Sequence, residues 1–118
     1  MSATRELEWY LRDHLFRQSN AGRSSFRKEL LPRDMVTLYL RYRNADLQEL
    51  SQFMEPVVES LVSRKVLEHN GNELKMIGRL SRLQCVKCFY INYLADGEPR
   101  SCLRCQHPQL QDFPKKKA

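Results

Sequence analysis

Residues 85–105 read CVKCFYINYLADGEPRSCLRC and contain all four cysteines of the chain. The cysteines form two CxxC pairs, Cys85 with Cys88 and Cys102 with Cys105, and thirteen residues separate the pairs. A CxxC turn aims two thiolates at one point, so two facing turns supply four soft ligands in a tetrahedron. Because structural Zn²⁺ takes this ligand set, we predict one structural zinc ion at the four cysteines.

The segment between the two cysteine pairs supports the same interpretation. Residues 89–94, FYINYL, are rich in strand-forming side chains, and residues 95–99, ADGEP, are typical of a turn. The order CxxC turn, strand, connecting turn, strand, CxxC turn is the layout of a zinc ribbon, which we assign to residues 82–108. Four thiolates leave no open position for water, so the zinc is expected to be structural and not catalytic.

Other roles of the cysteines stay open at this point. Two disulfides would need an oxidising compartment, and the N-terminal sequence lacks the apolar region of a secretory signal. An iron–sulfur cluster also takes four thiolates, although its usual ligand spacings differ. A thiol or iron–sulfur redox sensor is therefore kept as an alternative function.

The middle of the chain carries apolar residues at the spacing of amphipathic helices. Residues 31–34, LPRD, are typical of a helix start, and apolar residues then recur at helical spacing as far as Tyr42. Residues 38–42 also alternate as a strand would, and we favour the helix because of its start signal. Two further helices are predicted to begin at Asp46, in a capping-box pattern, and at Glu55.

A hairpin signal follows these helices, because Asn70-Gly71 lies between two strand-like runs. With a loop at these two residues, Leu67 would lie opposite Leu74. Helix, helix, helix and hairpin is the element order of a winged helix-turn-helix. The stretch DLQELSQFM, a turn and PVVESLVSRKVLEHNGNELKMI resembles that family, and we assign a winged helix to residues 32–81.

The resemblance carries expectations for the roles of these elements. It implies that the helix at 56–65 is a recognition helix and that residues 66–77 form the wing. Together with the zinc ribbon, the layout is similar to that of archaeal transcription factor E and its eukaryotic relatives, which pair a winged helix with a zinc ribbon. The two modules nearly abut in this chain, so only the module types are carried over.

The N-terminal segment, residues 1–31, is predicted to hold one helix and a basic linker. In this helix an apolar stripe includes Leu7 and Leu11, whereas Trp9 and Phe16 lie on nearly the opposite side. Such a helix is either buried on both sides within the domain, or it uses its second face to contact another protein or a second copy of the chain. At the other end, residues 109–118 are predicted to be a disordered basic tail.

The net charge of +6 is unevenly distributed along the chain. Residues 1–34 hold seven Lys and Arg against five acids, residues 35–78 hold five against six, and residues 79–118 hold eight against three. The winged helix is therefore slightly acidic, with Glu55 and Glu59 on its recognition helix, while the cysteine-bearing end is strongly basic. Phosphate contacts favour cations, so we expect nucleic acid to bind at the basic end.

These patterns predict a nucleic-acid-associated regulator, acting in transcription, that binds DNA or RNA through the ribbon and the linker. The expected contact residues are Arg79, Arg82, Lys87, Arg100, Arg104, Arg23, Arg27 and Lys28. The alternative is a protein–protein adaptor, in which the acidic winged helix binds a partner such as RNA polymerase and the zinc only scaffolds. The expected partner contacts are Trp9, Phe16, Glu55 and Glu59, with a homodimer through the N-terminal helix as a further possibility.

Other classes of protein lack support in the sequence. It contains neither a glycine-rich phosphate loop nor a nucleophile motif, so we expect no enzyme. No run of ~18 apolar residues is present, so no membrane span is expected. A cytoplasmic location, or a nuclear one in a eukaryote, is therefore predicted. The predicted fold class is α+β, with an N-terminal helix, a winged helix-turn-helix and a C-terminal four-cysteine zinc ribbon.

Overall fold

A computed structural model describes residues 3–113 of the chain, as a mixed arrangement of helices and strands. The elements in chain order are α1 (Ala3–Asn20), β1 (Ser25–Arg27), α2 (Leu31–Leu38), α3 (Leu47–Ser63), β2 (Leu67–Asn70), β3 (Glu73–Met76), β4 (Leu80–Cys85), β5 (Ile91–Ala95) and β6 (Leu110–Asp112). The strands form two antiparallel sheets, of order β1-β3-β2 and β5-β4-β6. We refer to α1–α3 with the first sheet as the helical module, and to the second sheet with its connecting turns as the cysteine module.

Helix α3 is longer than the sequence predicts. Its start is as expected, because the Asp46 side chain accepts a hydrogen bond of 3.0 Å from the backbone N–H of Glu49. The predicted break before Pro56 is wrong, since one helix continues through the proline. Buried residues on both sides of Pro56, including Met54 and Val57, form one apolar stripe. Their packing offsets the backbone hydrogen bond that a proline cannot donate.

Helix α2 is shorter than predicted. It ends at Leu38, because Tyr39 adopts an extended backbone with φ −122° and ψ 123°, and a 3₁₀ turn follows at Leu40–Tyr42. The extended residue aims the Tyr39 hydroxyl at Asp13 of α1, to which it donates a hydrogen bond of 2.6 Å. The continuous helix predicted to reach Tyr42 is therefore wrong beyond Leu38, where a contact with a distant element decides the local geometry.

The first sheet contains a strand that the sequence did not predict. Strand β1, within the predicted basic linker, pairs with β3 and places Phe26 opposite Leu74. The predicted hairpin of β2 and β3 is present, but its loop is Gly71-Asn72, so Leu67 pairs with Met76 and not with Leu74. Gly71 has φ +64°, which suits the first position of a two-residue hairpin loop.

The cysteine module is wider than the predicted range of 82–108. Strand β4 begins at Leu80 and pairs with β5 on one side and with β6 on the other. The prediction of a disordered tail from residue 109 is wrong for Leu110–Asp112, which form β6. The rest of that prediction, residues 114–118, lies outside the described residues.

Helix α1 belongs to the helical module and also contacts the cysteine module. One face packs Leu7, Leu11 and Leu15 into the core of the helical module. The opposite face places Trp9 and Phe16 against β5, where both rings contact Tyr93, with centroids 5.6 and 5.2 Å apart. Within residues 3–113 no helix is long and apolar enough to cross a membrane.

Candidate metal centre

The sulfur atoms of the four cysteines converge on one point. Cys85 Sγ lies 3.5 Å from Cys105 Sγ, and Cys88 Sγ lies 3.6 Å from Cys102 Sγ. All four Sγ atoms lie within 4.8 Å of one another. A tetrahedron with metal–sulfur bonds of about 2.3 Å has sulfur–sulfur edges of about 3.8 Å. The four cysteines, predicted as one ligand set, therefore stand close enough together to hold a metal ion.

The two CxxC turns have the same hydrogen-bond pattern. Cys85 Sγ accepts from the backbone N–H of Lys87 at 3.4 Å and of Cys88 at 3.5 Å. In the second turn Cys102 Sγ accepts from the N–H of Arg104 at 3.4 Å and of Cys105 at 3.5 Å. Backbone amides directed at sulfur stabilise a thiolate over a thiol. In each pair, the first cysteine is thus prepared to act as an anionic ligand.

Each turn is closed by a residue in the left-handed region. Phe89, with φ +64°, and Gln106, with φ +67°, each follow the second cysteine of their pair. Their backbone N–H groups donate to the carbonyls of Cys85 and Cys102, at 3.0 and 2.9 Å. A positive φ at a non-glycine residue costs free energy, so it persists only where the surrounding structure holds it in place. The repeated geometry shows that both turns are shaped to present sulfur.

Asn92 connects the second cysteine turn to strand β5, and the sequence analysis did not identify it. Its side chain is fully buried. Its Nδ2 donates to Cys102 Sγ at 3.6 Å and to the Tyr90 carbonyl at 3.2 Å, while its Oδ1 accepts from the N–H of Leu103 at 2.8 Å. A polar residue amid the strand-forming run FYINYL is the only sequence signal that could have pointed to it.

The local environment shifts the pKa values of Cys85, Cys88 and Cys102 in different directions. Burial acts to raise the pKa of Cys102, but the N–H groups of Cys105 and Arg104 and the Asn92 side chain lower it to about 6. Burial also opposes ionisation of Cys85, yet backbone hydrogen bonds leave its pKa below the ordinary value. The Tyr90 backbone acts to lower the pKa of Cys88, while burial and the three neighbouring thiols raise it to about 12. Cys102 and Cys85 thus favour the thiolate, whereas Cys88 favours the thiol until a cation is bound nearby.

A buried ion pair fixes α1 to the cysteine module. Arg12 donates to both carboxylate oxygens of Glu98, at 2.7 and 2.8 Å, and to the carbonyl of Tyr93 at 2.6 Å. Glu98 also accepts from the backbone N–H of Ala95 at 2.9 Å, which closes the turn after β5. Beside this pair, Trp9 Nε1 donates to the Ile91 carbonyl at 2.7 Å. Ile91 and Tyr93 of β5 and Glu98 of the following turn therefore all bind side chains of α1.

A second buried group, Asp13, lies one residue further along α1. Its carboxylate accepts from the hydroxyls of Tyr93 and Tyr39 and from Arg17 Nε, the last at 3.0 Å. Burial and the hydrogen bond to Asp13 raise the pKa of Tyr93 to about 12, so this tyrosine stays a donor. Asp13 thus joins α1, the end of α2 and β5 at one carboxylate.

These contacts account for the placement of Trp9 and Phe16. Both were predicted to contact a partner, with burial on both sides of α1 as the alternative. The structure places the two rings in the seam between α1 and the second sheet, which is the arrangement of the alternative. We use the word seam below for this contact of α1 with β4 and β5.

The predicted nucleic-acid contacts fall into separate groups. Arg79, Lys87, Arg100 and Arg104 are exposed on the cysteine module. Arg82 lies in the seam, with its guanidinium carbon 5.1 Å from the ring centroid of Phe16. Arg27 ends strand β1 of the first sheet, with Arg23 and Lys28 close to it in the chain, and it pairs with Glu29 at 2.7 Å.

The two predicted acidic contacts lie on one side of α3. Glu55 and Glu59 line an open groove of ≈ 390 Å³, whose apolar surface includes Met54 and Leu74. Glu59 lies 2.7 Å from Nε2 of His69 on β2. The groove is thus acidic with an apolar floor, and α3 and the first sheet build it together.

Comparisons of this chain with protein-family models, with curated proteins and with solved structures find no match. The class of this protein is therefore described from its fold and its cysteine site alone. It is a compact protein of mixed helices and sheets, in which four clustered cysteines could hold a metal ion.

Proposed function

We propose that this chain is a nucleic-acid-associated regulator, of the kind that acts in transcription, built from a winged helix and a structural zinc ribbon. The element order supports the winged helix, because three helices precede the hairpin of β2 and β3. In this arrangement α1 is the first helix, so the winged helix begins near residue 3 and not at residue 32. Helix α3 then takes the recognition position and the hairpin takes the position of the wing.

Zinc is the metal that the ligand chemistry favours. Four thiolates in a closed tetrahedral set, two of them supported by backbone amides, match a structural zinc site. The role of such a site is structural: bound zinc would hold the two CxxC turns together and leave no position for a substrate. Elemental analysis of purified protein should find one zinc per chain, and a coloured protein that contains iron would refute this assignment.

The observation that carries the nucleic-acid proposal is the contrast in exposed charge between the cysteine module and helix α3. The cysteine module exposes Lys87, Arg100 and Arg104, and Arg104 lies over the ring of Tyr90 at 5.9 Å. The exposed side of α3 carries Glu55 and Glu59 in place of cations. Neutralising phosphates releases counterions, so affinity should rest on the cysteine module and fall steeply with salt.

A titration of the full, metal-loaded chain with labelled single-stranded and duplex oligonucleotides tests this proposal. Affinity should fall steeply between about 50 and 200 mM salt. The triple variant Lys87→Gln, Arg100→Gln, Arg104→Gln should lose most of the binding. A matched variant of exposed cations on the helical module, Arg33→Gln, Arg43→Gln, Lys75→Gln, removes the same charge and should retain it. Equal losses of affinity in the two triple variants would show that binding depends only on the net charge of the protein and not on the cysteine module.

A protein–protein adaptor is the second candidate, and the acidic groove on α3 favours it. An apolar floor lined by Glu55 and Glu59 fits a basic segment of a protein partner that carries an apolar side chain. Exchanging both glutamates for lysine should abolish capture of such a partner and leave nucleic-acid binding unchanged or stronger. If capture survives the exchange, the groove on α3 is not the contact.

A further inference from the structure

An open groove of ≈ 380 Å³ runs along the seam, where Phe113 approaches α1. We call it the seam groove and define it by Trp9, Tyr39, Phe113, Arg17 and Arg82, with Asp13 beside them. These residues come from α1, the end of α2, β4 and the residue after β6, so only folding brings them together. The volume lies in the range of sites that bind small ligands or single residues of a polymer.

The walls of the seam groove are aromatic. Trp9 and Tyr39 are partly exposed, and Phe113 is 41% exposed. Tyr10 joins the first two, since its ring centroid lies 5.1 Å from that of Trp9 and 4.9 Å from that of Tyr39, both in edge-on contacts. Aromatic side chains that reach solvent in a groove are the platforms on which unpaired nucleobases stack.

The charge of the seam groove is positive. Arg17 is 63% exposed at its side chain, and the Arg82 guanidinium lies 5.1 and 5.6 Å from the ring centroids of Phe16 and Phe113. The one carboxylate, Asp13, has its side chain only 3% exposed and accepts hydrogen bonds from Arg17 and from two tyrosine hydroxyls. Its charge is therefore directed inward, whereas the arginines border solvent.

We propose that the seam groove binds single-stranded nucleic acid, with a base stacked on its aromatic side chains and the adjacent phosphates held by Arg17 and Arg82. This inference rests on the proposed function and names the strand type and the surface. In the sequence, residues 115–117 are three lysines that begin two positions after Phe113. Bases inside a duplex cannot stack on protein rings, so unpaired strands should be preferred.

A proline-rich peptide is the other occupant that an aromatic groove can accept. Such a peptide carries no phosphates, so its affinity would show little dependence on salt. The two arginines, and the inward-facing carboxylate, favour a polyanion over an uncharged peptide.

The intrinsic fluorescence of Trp9, the single tryptophan of the chain, tests the proposal directly. Oligothymidylate at low salt should quench this emission, because a stacked base contacts the indole. Phe113→Ala should weaken binding about 5- to 150-fold, the range for loss of one stacking ring, and Phe113→Tyr should restore it. Arg17→Gln should lower the slope of log affinity against log salt by about 0.7, the value for one phosphate contact of a single strand.

Two matched variants outside the seam groove serve as controls. Phe53→Ala removes an exposed ring from α3, and Arg33→Gln removes an exposed cation from α2; neither should change the affinity. If oligothymidylate binds without quenching Trp9 and the groove variants bind like the parent, the seam groove is refuted while the proposed function stands. If no oligonucleotide binds even at low salt, both are refuted. Displacement of oligonucleotide by a proline-rich peptide, at an affinity independent of salt, would also overturn the inference.

Discussion

The helical module and the cysteine module bury their side chains by different means. In the helical module, apolar residues from all three helices and the first sheet, among them Leu11, Met35 and Leu61, are fully buried in one cluster. In the described part of the cysteine module, Leu80 and Ala95 join that same cluster, and Leu83, Tyr93 and Leu94 are the large apolar or aromatic side chains buried outside it.

The cysteine module is too short to bury enough apolar surface to fold by itself, so its stability depends on two other interactions. One is the set of four cysteines, and the other is the polar contact with α1. Gly78 marks the place where the modules meet, since a Cβ there would lie 3.1 Å from the Lys65 carbonyl oxygen and 3.2 Å from the Cβ of Ala95. We therefore expect that unfolding of the cysteine module leaves most of the helical module folded, whereas unfolding of the helical module also unfolds the cysteine module.

The largest effect should follow removal of the metal or of a ligand. Cys102→Ser, or treatment of the parent protein with a strong chelator, should unfold the cysteine module while most of the helical circular dichroism remains. Because Trp9 donates to the Ile91 carbonyl of that module, its emission should shift to longer wavelength as water replaces β5. Cys→Ser at any of the other three positions should reproduce the change, and an unchanged emission after complete metal removal would contradict it.

The buried pair of Arg12 and Glu98 should have the next largest effect. Arg12→Met leaves the buried Glu98 carboxylate with Arg64, 3.6 Å away, as its remaining cationic partner, and loss of one member of a buried pair costs about 3–5 kcal/mol. The double variant Arg12→Met, Glu98→Leu removes both charges and should recover much of that loss. Chemical denaturation of the metal-loaded proteins measures the free energy of unfolding of the single and the double variant. Additive losses in the double variant would show that the pair is not the unit of stability.

The role of Asn92 predicts a smaller effect, on metal affinity. Asn92→Ala removes a donor to Cys102 Sγ and the acceptor of the Leu103 N–H, and leaves the four ligands in place. Loss of such a supporting contact weakens metal binding about 10- to 100-fold. Competition with a chromophoric chelator measures the change. Asn92→Asp keeps the acceptor but puts a carboxylate beside the Cys102 thiolate in place of the donor, so it should weaken metal binding at least as much.

Local sequence patterns predicted the parts of this structure that local interactions form. The stripe of α1, the cap at Asp46 and the grouping of the four cysteines are all encoded within short stretches. Strands β1 and β6 have three residues each, too few for a periodic signal, and form because a partner strand is present. The contacts of Arg12 with Glu98 and of Asp13 with Tyr93 join residues at least 80 positions apart, so no local pattern could have placed them.

The smallest predicted effect concerns pH and the buried His14 of α1. Burial lowers the pKa of His14 below its ordinary value; Asp34, whose carboxylate lies 3.6 Å from Nε2, and Asp13 oppose this shift, while Arg23 adds to it. A base whose pKa is lower in the folded state stabilises the fold above its unfolded pKa, about 6.5, and this stability is lost as the pH falls below that value. The loss cannot exceed about 1.4 kcal/mol per pH unit for one proton.

Replacing His14 with glutamine removes this titration without adding a charge. Acid also weakens metal binding by protonating thiolates, so the parent and His14→Gln must be compared at equal metal loading. The difference between their unfolding free energies at pH 5.5 and at pH 7.5 then isolates the histidine, because the thiols contribute equally to both proteins. The parent should lose more stability between the two pH values than the variant does. Parallel losses would mean that the pKa of His14 is the same in the folded and unfolded states, so that this histidine does not contribute to the pH dependence of stability.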